Sequence, residues 1–262
     1  MATAFVIKSI NNERIKYLKS LNKKKYRQEN GQFFVENFKI IYDSRNCDTG
    51  IEEIFVTENF IEKNSEKFYE LINDLKLDEY FLIDERINES FSNLETPSGI
   101  CALYNKKAKN IVFDNNIIYL NKINDPGNLG TIFRSALAFG VKNIVIDSDC
   151  VDIYNPKTIN SAKDAIFKLN IQIDNNRELL KKIKKRMKIF STRLEDSDGI
   201  EVLKKQNKFC IVFGSEAHGI DNEIYELSDG FIRINMTDDI ESLNVASAAT
   251  IILHYLYNKK SF

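Results

Sequence analysis

Ile117-Ile-Tyr-Leu-Asn-Lys-Ile-Asn-Asp-Pro-Gly-Asn-Leu-Gly-Thr-Ile-Phe-Arg134 decides the fold of this chain. It reads as an apolar strand over 116–123, a turn, and an apolar helix over 129–139. Asp125-Pro-Gly127 makes the turn, with proline fixing φ and Gly127 free to take a positive φ. The strand shows no apolar–polar alternation, so it is expected to be buried on both faces, as in a parallel sheet. On such sheets ligands bind beyond the carboxyl ends of the strands. Asn128 falls in that loop, and Arg134 about one and a half turns into the helix. A helix N-terminus favours anions. An arginine among Ile132, Phe133, Ala136, Leu137 and Phe139 is costly to bury unless paired, and otherwise reaches the surface.

Two later stretches have the same form. Cys210-Ile-Val-Phe213 runs into Gly214-Ser-Glu-Ala-His-Gly219, where both glycines let backbone approach a ligand closely. Glu216 there could hold an amide or a guanidinium, or cap a helix. His218 reads as a loop residue. Glu241-Ser-Leu-Asn244 then opens an apolar helix over 242–257. Ser242 is the natural N-cap. Asn244, a mediocre helix former placed in a first turn, has no local explanation. The chain has only 10 Gly, 3 Pro and 2 His. Gly127, Gly130, Gly140, Gly214, Gly219, Pro126 and His218 lie in or beside the first two motifs, as a tight ligand-binding loop requires.

Around these motifs strands and helices alternate. Strands read at 143–147, 168–173, 188–192, 209–214 and 231–235, and helices at 156–163, 176–187 and 221–227. Before them comes a smaller α/β stretch, with helices at 11–29, after Glu36 to about Arg45, 59–75 and 85–93. Its strands read at 32–36, 53–57, 79–84 and 99–104. The polar run Lys106-Lys-Ala-Lys-Asn110 breaks the pattern. The predicted organisation is therefore a domain over 1–105, a linker over 106–110 and an α/β parallel-sheet domain over 111–262.

Composition narrows the function. The 262 residues are 43% hydrophobic, enough for real cores, and the net charge is −1. No apolar run approaches the ~20 residues that cross a bilayer. The opening apolar patch is too short for a signal peptide, so a cytoplasmic location is expected. Cys47, Cys101, Cys150 and Cys210 form no Cys-x-x-Cys pair and read as reduced thiols. Two distant histidines with no acidic or thiolate cluster give no metal site. Residues 1–30 hold eight Lys/Arg against two Glu, with Lys16, Lys19, Lys23, Lys24, Lys25 and Arg27 among them. That cluster is either a phosphate-contacting surface or a solvated helix face. The run Lys181–Lys188 reads as a solvated face. A dinucleotide fold is the natural rival, because Asp147 follows Gly127 by twenty residues and could bind a ribose. Yet Gly127-Asn-Leu-Gly130 is not Gly-x-Gly-x-x-Gly.

Taken together, Asn128-x-x-x-x-x-Arg134, Gly214-x-Glu216-x-x-Gly219 and Ser242-Leu-Asn244 resemble the SpoU (TrmH-type) family of SPOUT RNA 2′-O-ribose methyltransferases. The stretch from Ile10 through Glu36 resembles the family's L30e-like RNA-binding domain. The resemblance implies a SPOUT sheet with a trefoil knot, a homodimer and S-adenosylmethionine as cofactor. It implies methyl transfer to a ribose 2′-hydroxyl of RNA, with ribosomal RNA, 23S in particular, favoured over tRNA. It assigns catalysis to Arg134, Asn128, Glu216, Ser242 and Asn244. Cofactor binding falls to Ser191, Thr192, Gly214, Gly219, Ile234, Met236, Leu243 and Asn244. Guanidinium resists deprotonation, so Arg134 reads as a group that engages phosphate or ribose oxygen rather than a base. Three places depart from the family pattern. Ile234-Asn-Met-Thr-Asp238 replaces Ile-Pro-Met-x-Gly, Glu36-Asn37 replaces Glu-Gly, and Asn160, Ala162 and Asp164 stand where Arg, Ser and Gly are usual. An RNA-binding paralogue without turnover is the alternative these departures leave open.

Overall fold

The structure is a computed structural model that describes residues 2–215, 219–237 and 239–259. It divides into two compact units. One comprises residues up to Lys107 together with Tyr154–Asn160, and the other comprises Ala108–Ile153 and the residues from Ser161 onward.

The first stretch runs β1 (Thr3–Val6), α1 (Glu13–Ser20), α2 (Lys24–Asn30), β2 (Gln32–Val35), α3 (Phe38–Ser44) and β3 (Ile51–Thr57). It continues through α4 (Glu58–Leu75), β4 (Glu79–Ile83), α5 (Glu85–Phe91) and β5 (Ile100–Asn105). Its sheet has the order β1-β4-β3-β5-β2. β1, β4 and β3 are parallel, and β5 is antiparallel to both β3 and β2. The expected single helix over 11–29 is two. Leu21 turns inward and is buried, and the Arg27 guanidinium donates to the carbonyls of Leu21 (2.7 Å) and Asn22 (2.9 Å). Those are the otherwise unsatisfied acceptors where α1 ends. Arg27 is thereby removed from the basic surface, being 4% exposed. β1 escapes the sequence reading because all four of its residues are exposed at a sheet edge. Asn37, where glycine is usual, caps α3 by accepting from the amide of Ile40 at 3.3 Å. Glu36 is buried, which raises its pKa, and accepts from the amide of Asn93 at 2.9 Å.

From Ala108 the elements are β6 (Ile117–Asn121), α6 (Pro126–Ala138), β7 (Asn143–Asp147), α7 (Pro156–Ala162), α8 (Ala165–Lys168), β8 (Asn170–Asp174) and α9 (Glu178–Lys184). Then come β9 (Lys188–Thr192), β10 (Asp198–Gly199), a 3-10 turn at Ile200–Lys205, β11 (Phe209–Gly214), α10 (Asn222–Leu227), β12 (Gly230–Arg233) and α11 (Val245–Lys259). The order β10-β12-β9-β11-β6-β7-β8 is parallel throughout. The continuous apolar runs are the central strands β6, β7 and β11, as burial on both faces demands. Ile117, Tyr119, Val145, Ile189 and Val212 pack there with Leu180 and Ile183 of α9 and Ile224 of α10. The chain leaves β6 towards β7 in one direction and approaches it from β9 through β11 in the other. The crevice between such diverging connections is where a parallel sheet binds ligands.

Cys101, Cys150 and Cys210 are buried and unpaired, and burial raises the pKa of each thiol. Among the described residues no helix is long and apolar enough to cross a membrane, and no cluster of acidic, His or Cys side chains could hold a metal.

Candidate functional site

The helix of the first motif begins earlier than its sequence suggests. Asp125 is its N-cap and accepts from the amide of Asn128 at 2.8 Å, while Pro126 occupies the first turn. Proline's fixed φ suits that position. Gly127 is therefore helical and takes no positive φ. A Cβ there would lie 2.9 Å from Asp125 Oδ1, so glycine leaves room for the cap. Gly140 supplies the left-handed residue at the other end (φ +74°), with the amide of Val141 returning to Ala136 O at 2.9 Å.

The third motif corrects a second expectation. Asn244, not Ser242, caps α11. Its Oδ1 accepts from the amides of Ala246 (2.9 Å) and Ser247 (3.2 Å). That leaves the amide nitrogen facing the other way, where Asn244 Nδ2 donates to Asn128 Oδ1 at 3.0 Å. One cap thus orients the residue that joins the N-terminal ends of α6 and α11. The pairing continues along both helices through Ser135 and Thr250, whose hydroxyls lie 2.7 Å apart. Arg134 is exposed, two turns into α6, with no ion pair among the described residues. Of the two readings left open for it, the surface one holds.

A cavity of about 510 Å³ lies beyond the carboxyl ends of β9, β11 and β12. Thr192, Gly214, Gly219, Ile234, Met236, Ser242 and Leu243 line it. The backbone is forced into close approach here. A Cβ on Gly214 would lie 2.3 Å from the carbonyl oxygen of Gly219 and 2.6 Å from Ile220 Cγ1. Gly219 (φ +63°) donates its amide to Ser215 O at 2.9 Å. Ser191 lies behind the wall, fully buried, sharing a hydrogen bond with Ser228 at 2.7 Å. Asn128, Asn244 and Arg134 are not part of the wall. Glu216 and His218 lie outside the described residues, as does Asp238.

Sequence reading missed several wall residues. Arg193 lies over the Phe231 ring at 5.1 Å and the Tyr225 ring at 5.8 Å, and these two rings meet edge to face. Leu194, Glu195 and Ile252 complete the enclosure. Their separation along the chain carries no periodic signal; only Thr192, directly before Arg193, points to them. The volume falls in the ~300–1,000 Å³ range of small-molecule sites. A mixed wall of backbone, apolar and charged groups suits a nucleoside with a charged tail.

Asp147 is no ribose ligand. It is 9% exposed. Its oxygens accept from Asn121 Nδ2, from the amide of Lys122 at 3.0 Å and from the amide of Asp149 at 3.1 Å. The dinucleotide alternative thereby loses its acid.

Comparison with known proteins gives the lineage. The SpoU rRNA Methylase family matches residues 115–254, which include every strand from β6 to β12. The chain belongs to the SpoU rRNA methylase family. An MRM3-like substrate binding domain matches residues 12–102 ahead of the SpoU region. Over 252 residues the chain is 25% identical to the 23S rRNA (guanosine(2553)-2′-O)-methyltransferase RlmP of Bacillus subtilis, covering 95% of this chain and 98% of that protein. In fold it is similar to an AdoMet-bound rRNA methyltransferase from Sinorhizobium meliloti (TM-score 0.82, 20% identity, 99% of this chain and 98% of that one). It is equally similar to the SpoU methyltransferase AviRb from Streptomyces viridochromogenes in complex with AdoMet (TM-score 0.82, 19% identity, 96% and 99%). The SpoU sheet, parallel in all its strands, is the SPOUT architecture expected from the motifs.

Proposed function

We propose that this SpoU methylase transfers a methyl group from S-adenosylmethionine to a ribose 2′-hydroxyl of 23S rRNA. The observation that carries the reading is the cavity itself. It is walled by the Gly214–Gly219 close approach, and the Asn128–Asn244 pair stands at the start of the helix that completes it. The residues fit the cofactor. The Gly214 and Gly219 backbone, Thr192, Ile234, Met236 and Leu243 would hold it, with Asn244 fixing the start of α11. Bound there, S-adenosylmethionine supplies a methyl on a sulfonium, already activated for displacement.

The protein's task is alignment, and stabilisation of the charge that develops on the attacking oxygen. Arg134 is solvent-facing and uncommitted to any ion pair among the described residues. It is free to meet a phosphate or the 2′-oxygen of an incoming nucleotide. Ser242 sits at the cavity wall where a ribose would approach, and Asn128 and Asn244 hold the two helices together. Glu216 belongs to the same reading through its motif. The 2′-hydroxyl gives the choice of RNA over DNA.

The reading extends to three further features. The first domain, 1–105 and L30e-like, receives the RNA. Lys8, Lys19, Lys23 and Lys24 are exposed and outside any ion pair among the described residues, whereas Lys16 and Lys25 pair with Glu13 and Glu29. A second copy covers the outer face of α6 and α11, where Ile251 and Tyr257 are 41% and 47% exposed beside Phe139 and His254. Finally, the chain after β12 threads a trefoil knot. β12 lies on the far side of β9 from β6, yet α11 packs on α6, the helix that follows β6. A ribosomal RNA substrate makes the cytoplasm the site of action.

The test is methyl incorporation from labelled S-adenosylmethionine into unmodified 23S rRNA and tRNA, with Arg134→Ala alongside. Label on a ribose 2′-oxygen of 23S rRNA, lost in Arg134→Ala, is the expected result. No incorporation and no cofactor binding would leave the RNA-binding paralogue.

A further inference from the structure

A partly buried cluster of charged and amide groups beside the cavity has no part in the three motifs. Asn121 ends β6 and is fully buried. Its Oδ1 accepts from the amide of Asp221 at 2.9 Å, and its Nδ2 donates to Asp147 and, at 3.2 Å, to Asp221 Oδ2. Asp221 also receives Lys122 Nζ on Oδ1 at 2.6 Å and Arg177 Nη2 on Oδ2 at 2.6 Å. Arg177 further pairs with Glu223. Lys122 adopts φ +54°, a conformation a lysine rarely takes, with its amide on Asp147. Burial opposes ionisation of Asp221, but the hydrogen bonds from Lys122, Asn121 and Arg177 outweigh it and hold the carboxyl below its usual pKa.

The position of this cluster gives it a meaning. Lys122 opens the loop that leads to the Asp125 cap and Asn128. Asp221 directly follows Gly219 and Ile220, which line the cavity with Gly214. Asp147 closes β7 next door. One carboxylate therefore receives Asn121 from the end of β6, Lys122 from the loop before the first motif and Arg177 from the start of α9, and directly follows the cavity-lining Ile220. Strain at Lys122 persists because the cluster over-determines it.

We propose that Asp221, gripped by Asn121, Lys122 and Arg177, is a positioning residue that sets the Asn128 loop against the cavity-lining Gly219 and Ile220 and so aligns substrate with cofactor. The assignment rests on the methylase reading. It makes the carboxylate, rather than its bulk, the working feature, so an amide of the same shape should fail.

The experiment compares wild type with Asp221→Asn, Asp221→Glu and, as a surface-pair control, Asp114→Asn, whose partner is Lys208. In Asp221→Asn the dissociation constant of S-adenosylmethionine should rise about tenfold, the effect of losing a charge-assisted bond. At saturating cofactor kcat should fall about 100-fold, as a misplacement of about 1 Å would cause. Asp221→Glu should recover part of both, and Asp114→Asn should match wild type. Amide hydrogen exchange supplies a readout independent of turnover. The amides of Ile123, Asn128 and Gly219 should exchange faster in Asp221→Asn, while those of β8 stay protected. Wild-type cofactor affinity and kcat in Asp221→Asn would overturn the proposal. So would unchanged exchange at the three amides, or an acceleration shared by β8. If wild type itself neither bound cofactor nor methylated RNA, the methylase reading would fall, and the exchange data would still decide whether Asp221 holds the two loops.

Discussion

At the carboxyl ends of β6 and β7 the chain answers its own charges; at the carboxyl ends of β9, β11 and β12 it leaves space. Both regions lie at the edge of one parallel sheet and use the same residue classes. In the first, Asp147 and Asp221 are filled by Asn121, Lys122 and Arg177. In the second, glycine backbone, apolar side chains and the charged Arg193, Glu195, Arg233 and Glu241 surround an open cavity, with Arg134 standing uncommitted in the helix beside it. The contrast teaches that charge at a strand end is no sign of a ligand site. Asp147 looked like a ribose ligand because its spacing was right, and it is a strut.

The comparison can be broken most directly at Arg134. Arg134→Ala should lower kcat by about 10²–10³, the cost of removing a group aimed at developing charge. Because Arg134 is not in the cavity wall, cofactor affinity should stay at the wild-type value by calorimetry. A parallel loss of affinity would move Arg134 into the cofactor site. Next comes Gly214→Ala. The new Cβ meets Gly219 backbone, so the turn must open, at a cost of about 1–3 kcal/mol. Cofactor binding should be lost while the domain still melts cooperatively.

Smaller effects sharpen the picture. Asn244→Ala removes the α11 cap and should cost about 1 kcal/mol in chemical denaturation. Asn244→Asp keeps the acceptor, and should restore the cap but not the donor to Asn128, separating stability from activity. The smallest effect concerns pH. Asp221 is held below its usual pKa, so its stabilisation is full above the unfolded value of about 4 and is lost as pH falls through the folded value. The melting-temperature gap between wild type and Asp221→Asn should therefore be widest near neutrality and close on acidification. A gap independent of pH would mean that the carboxylate's charge does nothing there.

Much of the site was legible because its signals are local. Pro126, Gly127, Gly214 and Gly219 mark where backbone must bend or crowd, and the apolar runs of β6 and β11 mark a two-sided core. The turn expected around Gly127 is the first turn of α6, because Asp125 captures the helix start three residues early. The periodicity of 11–29 does not show the break at Leu21–Lys23, because it is held by a side-chain-to-backbone contact, Arg27 on the carbonyls of Leu21 and Asn22 at the end of α1. Residue type and position favour Ser242 as the cap. What chose Asn244 was a partner, Asn128, 116 residues away in sequence.

The sequence by itself determined the parallel α/β unit, most of its succession of strands and helices, and the glycine-bearing loops at the strand ends, because burial and backbone freedom are properties of residue type and short spacing. Only the tertiary structure decided which polar residues are spent on the fold and which remain for a substrate. Asp147, Asp221 and Ser191 are consumed by neighbours brought from distant parts of the chain, and Arg27 by the end of the preceding helix. Arg134 stays exposed outside any ion pair among the described residues. That division is made by pairing across space, which no local pattern encodes.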